Sequence, residues 1–145
     1  MTLHLIKLCV GATSIEDLAE WQAERRHTKT RAGRPCAFHT TFQTPKRKAE
    51  LCDGGSLYWV IKGLVQVRQP IVGLEDGHKD DGSPCCLILL DRSLVPVRPV
   101  VRKAFQGWRY LAKDDAPADL KHGAGDTIAN LPPKMRKDLA ALGLI

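Results

Sequence analysis

No stretch of this chain is both long and apolar. The longest runs, such as Cys85 to Leu90, fall far short of the roughly 20 residues that a membrane-spanning helix requires. No span is expected. The loop signatures of common catalysts are missing too: there is no G-x-S-x-G, no Walker glycine loop, no G-x-G-x-x-G and no H-E-x-x-H. Without them nothing fixes a reaction, and the reading leans away from an enzyme. Paired C-x-x-C units are also lacking, and the five cysteines are odd in number and irregularly spaced. That is unlike a secreted disulfide framework, so reduced thiols are expected. Cys36 and His39 have a C-x-x-H spacing, but on a strand they face opposite ways, as do the adjacent Cys85 and Cys86. The expectation is no metal and no cofactor. The N-terminal stretch has no basic leader, carries Lys7 inside its apolar run and shows no small-residue cleavage site, which reads as a structural strand of a cytoplasmic protein.

The most informative absence is of negative charge. From Arg25 to Lys48 there is no Asp or Glu, while Arg25, Arg26, Lys29, Arg31, Arg34, Lys46, Arg47 and Lys48 all fall there. Taking those eight charges from the formal +6 leaves −2 on the other 121 residues, so the basicity is local. A concentrated patch of one sign attracts polyanions, whereas the same charge spread evenly mainly keeps a protein in solution. Two of the arginines also have a simpler explanation, because Arg25 and Arg26 fall near the end of an expected helix, where cations complement the dipole.

What is present is ordinary for a globular chain: 145 residues with 43% apolar and 26% charged side chains, enough to build a core in one domain, 1–145. Residues 3–10 read as a buried strand ending at Gly11, followed by a helix with Ser14 as N-cap and Asp17 in the capping position. Thr28 to Pro35 reads as an exposed loop, Ala37 to Phe42 as a strand, and Pro45 to Leu51 as a short helix capped by Thr44. Ser56–Lys62 and Leu64–Gln69 are the most strand-like segments, separated by Gly63 alone. Gly63 therefore marks a bulge or a turn that consumes its neighbours. Pro70 implies an edge or a bend. The polar stretch from Glu75 to Ser83 reads as a loop, and Cys85 to Leu90, apolar on both parities, as a central strand. Val95 and Val97 continue a weaker strand, and short helices are expected near Pro117 to Leu120 and from Pro132 or Pro133 to Leu142. This order has too few βα alternations for a doubly wound sheet. The fold class is α+β, a mostly antiparallel curved sheet or partial barrel with flanking short helices.

Three blocks carry a resemblance: His4 to Gly11, Asp53 to Gly63 and Phe105 to Leu111, joined by Leu131-Pro132-Pro133 and the Leu142-Gly143-Leu144 ending. Through them the chain resembles the alphaproteobacterial family known as domain of unknown function 1489, over most of its length. The resemblance implies a bacterial, cytosolic protein and brings no activity, cofactor or catalytic residue with it. On its size and the strand run Tyr58 to Ile71 alone, the chain is also similar to small curved-sheet RNA-binding domains of the PUA-like kind, a likeness of fold that does not license function.

The functional expectation is a module that binds a polyanion, RNA or single-stranded nucleic acid, through its basic face. Lysines and arginines neutralise phosphates, and aromatic rings stack on unpaired bases. Candidate residues are the eight basic positions above with Trp59, Trp108 and Arg109; in an extended segment Trp108 and Tyr110 share one face and Arg109 takes the other. Two alternatives stay open. One is a small enzyme or ligand-binding protein for an anionic metabolite, with Arg68, Arg109 or His39 in a pocket. The other is a scaffold that docks an acidic protein.

Overall fold

The computed structural model describes residues 2–9, 12–24, 28–31, 34–103, 105 and 107–120. The expected C-terminal helix and the Arg25–Arg26 pair lie outside them. Eight strands, β1 (Leu3–Leu8), β2 (Thr28–Arg31), β3 (Arg34–Thr41), β4 (Ser56–Ile61), β5 (Leu64–His78), β6 (Pro84–Leu90), β7 (Val95–Val101) and β8 (Trp108–Ala112), are joined by α1 (Ile15–Ala23) and α2 (Lys48–Leu51). The strands form one sheet in the order β2-β3-β6-β5-β4-β1-β8, and β7 pairs with β5. Among these pairings β1 with β4 is parallel and the rest are antiparallel, which makes the sheet mixed and mostly antiparallel.

Strand β4 shows why the sheet is covered on both sides: all six of its residues are buried. Leu57, Trp59 and Ile61 enter one apolar cluster with Leu5, Leu18, Leu51, Ile88 and others. Tyr58 and Val60 enter a second with Ile6, Val65, Val97 and Leu111. The alternation of period two therefore feeds two cores from one strand. Helix α1 closes over the first cluster with Leu18 and Gln22 buried. Its start is as the sequence indicates, because the Asp17 amide donates to Ser14 Oγ (3.0 Å) and Asp17 Oδ2 accepts from the Thr13 amide and hydroxyl. Those donors hold the Asp17 carboxyl below its ordinary pKa.

Several expectations are corrected. Residues 28–31 are not loop but a strand hairpinned onto β3, with Thr28 opposite Ala37 and Arg31 opposite Arg34. Basic residues are compatible with an edge strand, where charge discourages pairing with another chain. Strand β5 runs for 15 residues through Pro70 and on to His78, beyond both the expected bend and the start of the expected loop. Pro70 lies where β5 leaves its pairing with β4 and begins to pair with β6. Its carbonyl accepts from the Asp91 amide (2.9 Å), and the Asp91 carbonyl takes its donor from Gln69 Nε2 (2.9 Å) and not from a residue-70 amide. Between β4 and β5 the turn does consume a neighbour: Lys62 and Gly63 both have positive φ (50° and 78°), as a two-residue primed turn requires. The second helix begins only at Lys48, with Arg47 as its N-cap, so Pro45 to Arg47 are loop. In place of a helix near 117–120 there is a single 3-10 turn at Lys113–Asp115 and an isolated bridge between Val97 and Asp119.

Candidate nucleic-acid interface

Strand β8 is an edge strand on β1, and Lys7 lies opposite Trp108, Leu5 opposite Tyr110 and Ile6 opposite Arg109. An extended backbone puts Trp108 and Tyr110 side by side, with ring centroids 4.9 Å apart and planes at 71°, the edge-to-face arrangement that aromatic quadrupoles favour. Leu111 turns into the second core, and Arg109 shares that side. The sequence reading gives the shared face of Trp108 and Tyr110 only for an extended segment, and residues 108–112 are extended.

The loop after β3 is fastened to this aromatic pair. Trp108 Nε1 donates to the Gln43 carbonyl (2.8 Å), and the Tyr110 hydroxyl accepts from the backbone amides of Lys46 (3.0 Å) and Arg47 (3.3 Å). These bonds cross more than 60 residues of chain. They fix Lys46 and Arg47, the end of the basic block, beside Tyr110, which stays 37% exposed. The Arg47 guanidinium sits 5.7 Å from that ring's centroid and is also paired with Glu50 one turn on. Glu50 holds the Arg47 charge, and hydrogen bonding from Arg47 pulls the Glu50 pKa down in return. Lys46 and Lys48 are exposed, and no carboxylate among the described residues pairs with them. On the other side of the same edge strand, Arg109 and Arg102 lie 5.8 and 5.5 Å from the Phe105 ring centroid. Two basic groups distant in sequence thus flank one strand.

The remaining candidates part company. Lys29, Arg31 and Arg34 occupy register positions in the β2–β3 hairpin at the far edge of the sheet. Arg25 and Arg26 lie outside the described residues. Trp59 is core, 1% exposed, and its Nε1 donates to Gln69 Oε1 (2.8 Å). A ring so enclosed offers no surface for a base to stack on. Sequence reasoning underrated Tyr110, whose hydroxyl organises the loop. The signal was its position two residues after Trp108 on one face.

The anionic-metabolite alternative gains no assembled site among the described residues. Arg68 makes two 2.7 Å bonds to the Asp119 carboxylate and a third to Ser56 Oγ, so its charge is already answered. His39 lines a cleft with Trp21, Trp59, Cys9, Ala12 and Leu18 whose free volume is about 20 Å³, space for about one water. Burial pushes the Cys9 thiol up to about 11, so it is not a ready nucleophile. Cys36 pairs across from Lys29 and His39 from Ile88, three residues apart on one strand and hence on opposite faces. No group of three metal-ligating side chains is found among the described residues. Gly55 is required by packing: a Cβ there would meet the Leu3 carbonyl at 2.2 Å, and its amide donates to the Leu51 carbonyl. Among the described residues no helix is long and apolar enough to cross a membrane.

A family model described as Protein of unknown function (DUF1489) matches residues 5–145. No curated protein and no solved structure matches the chain.

Proposed function

Because the chain belongs to the DUF1489 family of proteins of unknown function, which brings no activity with it, we propose from the interface alone that it is a binding module for RNA or single-stranded nucleic acid. The observation that carries the reading is the anchoring of Lys46 and Arg47 to the hydroxyl of a half-open tyrosine. Phosphates would be met by Lys46, Lys48 and Arg109, and an unpaired base by the Tyr110 ring. Backbone contacts of this kind give affinity, and a π-face accepts any base. The β2–β3 hairpin, with Lys29, Arg31 and Arg34, adds positive charge to the long-range field that draws a polyanion in. The reading places the protein in the cytoplasm with nucleic acid as its partner. An acidic protein is the competing partner, distinguished by whether a bare oligonucleotide suffices.

The test is a double charge reversal, Lys46→Glu with Lys48→Glu, assayed by fluorescence anisotropy on a single-stranded RNA decamer. Both side chains are exposed, so circular dichroism should be unchanged. Affinity is expected to fall about tenfold or more at moderate salt. Affinity equal to wild type would overturn the reading.

A further inference from the structure

The loop that carries Lys46 also carries Phe42, and this ring is 83% exposed. Burying a phenylalanine stabilises a fold, so a ring left in water is not explained by the core. Nor is its position loose: Thr41 before it is buried at the end of β3, and the Gln43 carbonyl after it accepts from Thr41 Oγ1 and Trp108 Nε1. Phe42 lines an open groove of about 750 Å³ together with Phe38, Thr40, His78, Cys85 and Leu87, within the size range of small-molecule sites. Across the groove is the turn between β5 and β6. Its backbone is closed by the Lys79 amide on the Ser83 carbonyl (2.9 Å) and the Gly82 amide on the Lys79 carbonyl (2.8 Å). That turn places the Lys79 ammonium over one face of the Phe42 ring and sets Asp80 and Asp81 on the lip. Asp81 is occupied, accepting from the Ser83 amide and hydroxyl. Asp80 lines the groove and is exposed.

We infer that this groove takes one unpaired base of the bound strand, stacked on the Phe42 ring and read by the Asp80 carboxylate, with guanine the preferred base. The inference rests on the nucleic-acid reading above and extends it. The lining decides which part of a nucleotide enters. The apolar lining, Phe38, Phe42 and Leu87, suits the flat face of a base, while Lys79 beside the ring and the exposed Lys46 and Lys48 are left for the flanking phosphates. An ionised carboxylate only accepts hydrogen bonds. It therefore favours a base edge with neighbouring N–H donors, and guanine presents two, at N1 and N2, where uracil presents one. Loop continuity supplies the geometry, since Phe42 and Lys46 are four residues apart on a segment pinned at Gln43, Lys46 and Arg47.

The experiment compares a uridine decamer with the same decamer carrying one guanosine, each titrated against wild type, Phe42→Ala, Phe42→Trp and Asp80→Asn. Wild type should bind the guanosine decamer more tightly. Phe42→Ala should weaken that complex by roughly 5- to 100-fold, the usual worth of one stacked base, with the salt dependence unchanged. Phe42→Trp should restore it, and Asp80→Asn should abolish the preference for guanosine over uridine. Phe42→Ala binding both decamers as wild type does would overturn the inference while leaving the binding function standing. Loss of the preference in Phe42→Ala but not in Asp80→Asn would overturn the assignment of Asp80. A wild-type protein that binds neither decamer would overturn both readings together.

Discussion

Trp59 and Trp108 use the same indole N–H in different ways. Trp59 donates to the side chain of Gln69, which is fully buried and saturated: its oxygen also accepts from Gln22 Nε2 (2.7 Å), and its nitrogen donates to Gln22 Oε1 (2.7 Å) and to the Asp91 carbonyl (2.9 Å). Trp108 donates to a backbone carbonyl of a surface loop and leaves its neighbour Tyr110 half open. The first arrangement locks α1 to the sheet and has no surface to offer. The second spends its hydrogen bonds on positioning charges and keeps a ring in water. Polar groups aimed inward around the first tryptophan hold the core together; those around the second fasten a basic loop to an edge strand, the surface proposed above for binding.

Breaking the first region should have the largest effect. Gln69→Leu orphans the Trp59 N–H and both polar ends of the Gln22 amide in a buried site, and each such group costs about 1–3 kcal/mol. A loss of roughly 3 kcal/mol or more is expected in urea unfolding, with the affinity of the surviving folded fraction unchanged. A midpoint equal to wild type would remove the distinction between the two tryptophans. The reverse pattern is expected for Tyr110→Phe, which removes the acceptor of two exposed amides and keeps the ring. Stability should fall by only about 1 kcal/mol or less, whereas binding should weaken several-fold as the 46–47 backbone is released. Equal binding by this variant would show that the tyrosine hydroxyl is not what places the loop.

A smaller, pH-dependent effect sharpens the inward side. His4 Nδ1 accepts from the Ser56 amide (2.9 Å) and its ring meets Tyr58 edge-on, so the folded protein requires the neutral imidazole. Burial, aided by the nearby Arg68 and Lys113 charges, lowers its pKa. The unfolded chain, with an ordinary pKa of about 6.5, therefore takes up the proton first. Stability from this site is present above that value and is lost as pH falls through the folded pKa. Urea midpoints measured from pH 7.5 to 5 should decline, and His4→Gln should flatten that part of the profile.

How much of this was legible in the sequence follows from which physical effects were local. Ser14 and Asp17 define the start of α1 by side-chain capping within four residues, and the apolar run Cys85–Leu90 announces a central strand whatever surrounds it. The β2 strand was not legible, because its basic residues carry no apolar period and its order comes from pairing with β3. Pro70 misled for a similar reason: its missing amide matters only where a partner needs it, and here the Asp91 carbonyl accepts from the Gln69 side chain instead. At the candidate site, the residue types on β8 were visible, but the contact between Tyr110 and Lys46 joins segments 64 residues apart and belongs to the tertiary fold. The charge block itself reads differently in space. Its middle, Lys29 to Arg34, lies at one edge of the sheet, while Lys46 to Lys48 sit near the other edge strand.

The central claim is that this edge, and not the charge total, binds the strand. The direct measurement is the salt dependence of affinity for a single-stranded RNA decamer, for wild type and for Lys46→Glu with Lys48→Glu. With Lys46, Lys48 and Arg109 each neutralising a phosphate, the wild-type log–log slope should be about −2, and the variant's should be shallower by roughly 1.4, two contacts at about −0.7 each. Identical slopes for the two proteins, or a wild-type slope near zero, would contradict it.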